Sequence, residues 1–231
     1  MGFIVLEGLD GSGKSTQVSM LKSRLENRGI AYEYLHFPRL NEGIFGEMIA
    51  RFLRGEMGEI GQVDPYLVAL IYAGDRADAA EMIRNWISAG KLVLVDRYVY
   101  SNIAFQGAKT AGPDERRRLR DWILHLEYSY YHLPKPDLNI FLDVPFSFTR
   151  SRLGEAREGD DRSYLNGKGD IHEQDLSFQE KVREVYLEIG ADYEDMLIVN
   201  CTATDGGMLP PEKVAEKIAG SLRRIEMLKD L

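Results

Sequence analysis

The eight residues from Gly8 to Ser15 read GLDGSGKS and match the pattern G-x4-G-K-[ST]. A short apolar run, Phe3–Leu6, precedes them, and a stretch with helical periodicity, Thr16–Arg28, follows them. Between a strand and a helix this pattern is typical of a phosphate-binding loop, because its glycines let backbone N–H groups converge on phosphate oxygens. A glycine-rich turn that binds nothing is the alternative, and the agreement of pattern and context argues against it.

The side chains of this loop predict a nucleoside triphosphate and Mg²⁺ as its ligands. Lys14 can bridge the β- and γ-phosphates, and the Ser15 hydroxyl can ligate Mg²⁺. The residues that we expect to surround the phosphates are Gly8, Gly11, Ser12, Gly13, Lys14, Ser15 and Thr16. The loop does not by itself identify the reaction.

Apolar runs alternate with helix-period stretches along the rest of the chain. The further runs are Tyr32–Phe37, Leu92–Val95, Leu138–Val144 and Met196–Val199, and the further helical stretches are Pro65–Ala89, Asp114–His132, Leu176–Tyr193 and Pro211–Lys229. This alternation predicts an α/β fold, a P-loop three-layer sandwich with a five-stranded parallel sheet and helices on both faces. We expect a single domain over residues 1–231, with a glycine-rich lid at about 150–175 after the fourth strand.

The charge and cysteine content exclude several classes of protein. The chain has 37 acidic and 29 basic residues, a net charge of −8, which argues against binding nucleic acid or an anionic membrane through a basic surface. Cys201 is the only cysteine, so an intramolecular disulfide and a multi-cysteine zinc site are excluded. With no apolar stretch long enough to span a membrane, we expect a cytoplasmic protein.

Asp96, Arg97 and Tyr98 follow the predicted strand Leu92–Val95. In an open parallel sheet, residues just beyond the carboxyl ends of the strands line the ligand crevice. A carboxylate there can orient Mg²⁺ waters or a substrate hydroxyl, and a guanidinium can hold a phosphate with two hydrogen bonds. An ion pair that only fixes a turn is the alternative.

Five stretches, in this order, resemble the thymidylate kinase family: GLDGSGKST, Phe37-Pro38-Arg39, Tyr72-Ala73-Gly74-Asp75-Arg76, DRYVYSNIAFQGA and Pro134-Lys135-Pro136-Asp137. The resemblance covers nearly the whole chain. It implies a transferase of nucleotide biosynthesis that phosphorylates dTMP to dTDP, with ATP and Mg²⁺, and that forms a homodimer. A kinase of another nucleoside monophosphate such as UMP, and a non-catalytic nucleotide-binding protein on the same scaffold, are the alternatives.

The resemblance also implies which residues bind dTMP. Asp10 matches the carboxylate that reaches the sugar 3′-hydroxyl, and Tyr72 and Arg76 match the residues that stack on and contact thymine. The complete expected set is Asp10, Phe37, Arg39, Tyr72, Arg76, Arg97, Ser101, Asn102 and Gln106. From the residues alone, Asp10 could be only a turn former and Tyr72 only a core residue.

Four arginines bracket or lie in the predicted lid: Arg150, Arg152, Arg157 and Arg162. Some relatives carry a catalytic arginine in the phosphate loop, but here Gly11 follows Asp10, so the resemblance implies a lid arginine instead. Arg157 and Arg162 are the candidates for contact with the transferred phosphoryl group, and Arg152 for packing on adenine. Two of the four could be ordinary solvated or ion-paired charges. With Lys14, Asp96 and Arg97, the two candidates complete the predicted catalytic set.

Three further features carry weaker predictions. The histidines His36, His125, His132 and His172 lack metal-ligand spacing and are interpreted as structural or exposed. The stripe Trp122, Leu126 and Tyr130 favours a helix core or an oligomer face. The segment Asn200–Thr204 lies where related kinases contact adenine.

Overall fold

The computed structural model describes residues 2–154, 165 and 170–229. All five predicted strands are present, within two residues of their predicted ends: β1 (Gly2–Gly8), β2 (Tyr32–His36), β3 (Leu92–Asp96), β4 (Leu138–Asp143) and β5 (Met196–Asn200). They form a sheet in the order β2-β3-β1-β4-β5, and every pairing is parallel. The predicted fold class is therefore confirmed. The carboxyl ends of β1 and β3 lie side by side, so the residues after both strands meet at one edge.

Helices connect the strands: α1 (Lys14–Asn27), α2 (Gly43–Leu53), α3 (Pro65–Ser88), α4 (Val99–Gly107), α5 (Pro113–Leu124), α6 (Phe146–Gly154), α7 (Ile171–Gln174), α8 (Leu176–Asp192) and α9 (Pro211–Leu222). The sequence did not predict α2, α4, α6 or α7. Every residue of α4 is buried, so this helix has no polar face to produce an amphipathic period. In the described part of the chain, no helix combines the length and the apolar content that crossing a bilayer requires.

Two apolar layers enclose the sheet. Phe3 and Val5 of β1 pack into one layer with residues of α3, α4, α5 and α8, while Ile4 and Leu6 pack into the other with residues of α1 and α9. Every residue of β1 is buried, because helices cover both faces of the strand. This burial explains why the strand is an apolar run rather than an alternating pattern.

The helix predicted over Asp114–His132 is not continuous. After α5 the chain forms a π-helical turn, His125–Tyr130, which changes the angular spacing of the side chains. The apolar stripe predicted there is consequently not one surface: Leu126 is buried, Trp122 packs edge-on against Tyr66 at 5.0 Å, and Tyr130 is 69% exposed. The last predicted helix also ends early, since α9 stops at Leu222 and a 3₁₀ turn follows at Glu226–Leu228.

Candidate active site

The phosphate-loop residues Gly8–Ser15 form a tight connection between β1 and α1. Gly11 and Gly13 have φ angles of 75° and 82°, a left-handed conformation that favours glycine. Gly8 has no room for a side chain, since a Cβ there would lie 2.7 Å from Ser12 Oγ. The first turn of α1, all of which the structure describes, carries no acidic side chain. The loop therefore offers backbone N–H groups and a helix N-terminus to an anion.

Lys14, the first residue of α1, folds back over this loop. Its Nζ donates to the carbonyl oxygens of Gly8 at 3.2 Å and Leu9 at 3.1 Å, and the residue is only 8% exposed. Burial, reinforced by the positive charge of Arg97, lowers the pKa of Lys14 to about 8. Because a desolvated ammonium group gains from a bound anion, this position suits a phosphate.

The Asp96 carboxylate lies at the end of β3, beside the loop. Its Oδ2 is 3.4 Å from His36 Nδ1. Burial opposes ionisation, but the hydrogen bond from His36 and the charge of Lys14 hold the pKa of Asp96 below its ordinary value. Its Oδ1 is buried and has no hydrogen-bond partner in the described part of the chain. An ionised oxygen with unused lone pairs fits Mg²⁺ or its water ligands, and Ser15 lines the same cavity.

Arg97 has a positive φ of 66°, a strained backbone conformation for a non-glycine residue. Its NH2 group donates to Asp10 Oδ1 at 2.7 Å, so its ion partner lies across the site and is not the adjacent Asp96. Gln179 Nε2 donates to the other Asp10 oxygen at 2.9 Å. Burial would raise the pKa of Asp10, but Arg97 and Lys14 lower it to about 2. Asp10 is therefore an ionised acceptor as well as a loop residue.

Glu7 was not among the residues predicted from the sequence. It is completely buried in β1 and accepts hydrogen bonds from Ser101 Oγ at 2.5 Å, Tyr186 OH at 2.9 Å and the Tyr98 backbone N–H at 3.0 Å. Burial raises its pKa, although these bonds and the charge of Arg97 oppose the shift. Its position next to the apolar run Phe3–Leu6 was the one feature of the sequence that could have pointed to Glu7, because a carboxylate is unusual in a buried strand. Glu7 ties β1 to the segment that carries Arg97.

A cavity of about 1040 Å³ joins the phosphate loop to the residues predicted to bind the acceptor. Its lining includes the following predicted residues: Asp10, Phe37, Tyr72, Arg76, Arg97, Ser101, Asn102 and Gln106. Tyr72 and Arg76 are four residues apart on α3 and both line this cavity. Tyr72 is only partly buried, so core packing does not occupy its whole surface.

Arg39 is not among the cavity-lining residues, because acidic neighbours hold it. Its Nε donates to Asp75 Oδ1 at 2.9 Å, and its NH1 group donates to Glu42 Oε2 at 2.8 Å. Asp75 is nearly completely buried, and burial raises its pKa although Arg39 opposes the shift. An acceptor phosphate would have to compete with these carboxylates for Arg39. The assignment of Arg39 to that phosphate stays a prediction.

The predicted lid is described only in part. Arg152 lines the cavity, and its guanidinium carbon is 5.5 Å from the centre of the Phe148 ring. Arg157 and Arg162 lie outside the described residues, so their predicted role has no structural account. His172 is buried beside Phe105, with ring centres 5.2 Å apart, and lines the cavity. Burial lowers the pKa of His172, and the other three histidines are exposed.

The segment after β5 contributes a second wall near the phosphate loop. A β-bridge between Thr202 and Met208 folds this segment back on itself. Met208, Leu209 and Pro210 line the cavity, whereas Asn200–Thr204 are not among its lining residues. The predicted segment is thus close to the cavity, but the residues that form the wall come after it. Their apolar surface, together with Phe148 in the same lining, suits a purine ring.

Comparison with known proteins agrees with this geometry. The family model described as thymidylate kinase matches residues 6–205. A protein of Thermococcus kodakarensis named "Probable thymidylate kinase" is 33% identical over 203 residues, covering 86% of this chain and 88% of that protein. The thymidylate kinase of Mycobacterium tuberculosis is 32% identical over 188 residues, covering 81% and 85%. A solved structure of thymidylate kinase from Candida albicans matches with a TM-score of 0.72 at 25% identity, covering 98% of this chain and 93% of that one. The chain belongs to the thymidylate kinase family.

Proposed function

We propose that the cavity between the phosphate loop and α3 holds ATP and dTMP end to end. As a member of its family the protein is a dTMP kinase, which forms dTDP and ADP. The observation that supports this use of the cavity is the convergence of Lys14, Asp96 and Arg97 at one end and of Tyr72 and Arg76 along its wall. One end offers cations to phosphates, and the other offers an aromatic ring and a donor to a base.

The two substrates divide the remaining residues between them. Lys14 and the loop amides hold the β- and γ-phosphates of ATP, and Arg152 packs on adenine. Arg39 and Arg97 hold the phosphate of dTMP. The base and the sugar are contacted by Asp10, Phe37, Tyr72, Arg76, Ser101, Asn102 and Gln106.

Catalysis in this site depends on holding the two substrates in line and on neutralising the negative charge of the transferring phosphoryl group. A phosphate oxygen of dTMP attacks the γ-phosphorus of ATP, the bond from that phosphorus to the β,γ-bridging oxygen breaks, and ADP leaves. The attacking oxygen is already ionised, so no strong general base is required. Lys14 and Arg97 stabilise negative charge on the transferring group, and an arginine of the lid completes this set.

Magnesium is the metal that the donor set at the phosphate loop fits. The Ser15 hydroxyl and Asp96 Oδ1, which accepts no hydrogen bond from the residues that the structure describes, would hold Mg²⁺ or its waters. Held by these residues, Mg²⁺ would supply positive charge to the phosphates of ATP. The homodimer, the cytoplasmic location and the absence of nucleic-acid and membrane partners stay predictions from the sequence.

A panel of acceptors tests the proposed substrate. With ATP and Mg²⁺ present, we expect ADP release to be fastest with dTMP and at least about tenfold slower with AMP or GMP, because in the proposed arrangement the contacts of Tyr72, Arg76 and Asn102 are made to a pyrimidine base. A coupled ADP assay measures the rates, with EDTA as the control for the metal. Best activity on a purine monophosphate would contradict the proposal.

The pKa of Lys14 gives ATP binding a measurable pH dependence. Because the pKa falls from 10.5 to about 8 on folding, free Lys14 is mostly neutral above pH 8. A bound triphosphate raises this pKa again, so ATP binding at about pH 9 should take up close to one proton, and the uptake should shrink towards about pH 7. Calorimetry in buffers of different ionisation enthalpy measures the uptake. Equal proton uptake at both pH values would contradict the assignment of Lys14 as a contact of the ATP phosphates.

A further inference from the structure

Glu127 is a buried carboxylate to which neither the sequence nor the reaction has assigned a role. It lies in the π-helical turn His125–Tyr130 and is 0% exposed. Its Oε2 accepts from Arg76 Nε at 2.5 Å, and its Oε1 accepts from Arg76 NH2 at 2.6 Å. Oε1 also accepts from Asn102 Nδ2 at 2.9 Å. One carboxylate therefore holds two of the residues that line the acceptor end of the cavity.

These bonds determine which way the Asn102 amide points. Asn102 Nδ2 donates to the carbonyl oxygen of Ala69 at 3.0 Å as well as to Glu127. Both partners are acceptors only, so the nitrogen must face them and the oxygen must face the other way. Asn102 Oδ1 is buried and has no hydrogen-bond partner in the described part of the chain. A buried acceptor of this kind calls for a donor that arrives with a ligand.

Arg76 is oriented by the same carboxylate. Its Nε and NH2 groups are both engaged by Glu127, and the residue is 1% exposed. In the described part of the chain its NH1 group makes no hydrogen bond. A guanidinium can only donate, so this group remains a donor whatever ligand binds.

We propose that Glu127 is a positioning residue that sets the polarity of base recognition, keeping Arg76 as a donor and Asn102 as an acceptor. This inference rests on the proposed function, because it concerns the base of the acceptor nucleotide. Thymine offers a carbonyl oxygen next to an N3–H, which is the complement of one donor and one acceptor. Cytosine offers an amino group next to an unprotonated N3, which is the reverse arrangement. Glu127 thereby makes the site discriminate against cytidine nucleotides.

The test is Glu127→Gln, which keeps the shape of the side chain and introduces N–H donors where Arg76 and Asn102 already donate. With one acceptor oxygen lost, the Asn102 amide is free to turn its nitrogen towards the ligand. We expect the KM for dTMP to rise about 10- to 100-fold and the ratio of kcat/KM for dTMP to that for dCMP to fall at least about tenfold. The KM for ATP should stay within about twofold. Glu127→Asp keeps the charge, shortens the reach, and should give an intermediate ratio.

Asp195→Asn is the matched control, since Asp195 also accepts from an asparagine amide, Asn139 Nδ2 at 3.2 Å, and from Tyr100 OH at 2.7 Å. Asp195 lies at the amino end of β5, whereas the phosphate loop follows the carboxyl end of β1, at the opposite end of the parallel strands. We expect this control to lower the melting temperature without moving the dTMP to dCMP ratio. A Glu127→Gln protein that is less stable but keeps the wild-type ratio and KM would overturn the proposal.

A measurement on the unmodified protein keeps the inference testable if both Glu127 variants fail to fold. dTMP methylated at N3 lacks the donor for Asn102 Oδ1, so we expect it to bind at least about tenfold more weakly than dTMP. Equal affinities for the two nucleotides would overturn the proposal. Failure of the proposed function is a different result, because the unmodified protein would then release no ADP with dTMP.

Discussion

Replacing Lys14 with methionine is expected to lower kcat/KM for ATP by about three orders of magnitude or more. Methionine has nearly the length of lysine but no charge, so the variant loses the ammonium group and little packing. Lys14 is only 8% exposed, so its interaction with a phosphate is weakly screened by water. Steady-state kinetics with varied ATP measures the loss.

The stability of Lys14→Met should not fall together with its activity. Folding lowers the pKa of Lys14 from 10.5 to about 8, so at neutral pH the folded protein holds an ammonium ion at a cost that the unfolded chain does not bear. The substitution removes this cost together with the hydrogen bonds to the carbonyl oxygens of Gly8 and Leu9. Because the two effects compensate, the melting temperature should not fall. Kinetics of Lys14→Met within about tenfold of wild type would contradict the assignment.

Lys22→Met provides the control for this experiment. Lys22 is on the same helix, α1, and its Nζ lies 3.3 Å from the centre of the Tyr34 ring. It does not line the cavity. We expect its kcat/KM for ATP to stay within about twofold of wild type, which would separate a phosphate contact from a general effect of removing a lysine from α1.

Replacing Arg97 with alanine is expected to lower kcat by about 10²- to 10⁴-fold at saturating ATP, and to raise the KM for dTMP. Arg97 is held by Asp10 at 2.7 Å, by Ser101 Oγ at 3.3 Å and by the face of Phe105. Its guanidinium is therefore oriented before any phosphate arrives, and such preorganisation is what makes a donor effective in the transition state. Turnover of dTMP at the wild-type rate would contradict this role.

The loss of the ion pair with Asp10 complicates this variant, because stability should also fall. Arg116→Ala is the matched control: Arg116 pairs with Glu188 at 2.5 Å, is mostly buried, and lies outside the cavity lining. We expect both variants to melt at lower temperature but only Arg97→Ala to lose activity. Arg97→Lys should recover part of kcat, since it keeps the charge but not the planar pair of donors.

The strands and the phosphate loop could be predicted because their signals are local. A strand covered on both faces must be apolar along its whole length, and β1 is buried at every residue. The loop needs glycine where φ is positive, at Gly11 and Gly13, and where a Cβ would collide, at Gly8. These requirements act within a few residues, so the sequence displays them directly.

Helix α4 and the π-helical turn His125–Tyr130 could not be predicted in the same way. α4 is buried on all sides and shows no amphipathic period, and a π turn departs from the 3.6-residue spacing on which helix prediction relies. Whether these two elements form depends on their tertiary contacts with the rest of the protein. Glu127, which lies in that turn, was missed for the same reason.

The amino-acid sequence was sufficient for the parallel sheet, the phosphate loop, the family and about half of the residues that line the cavity. Tertiary structure alone decided how those residues are paired. Asp10 is 87 residues from Arg97, and Glu127 is 51 residues from Arg76 and 25 from Asn102. Charge pairing and amide orientation depend on which groups share a buried, poorly solvated volume. Residues far apart in the chain meet there only after the sheet and its two helical layers have formed.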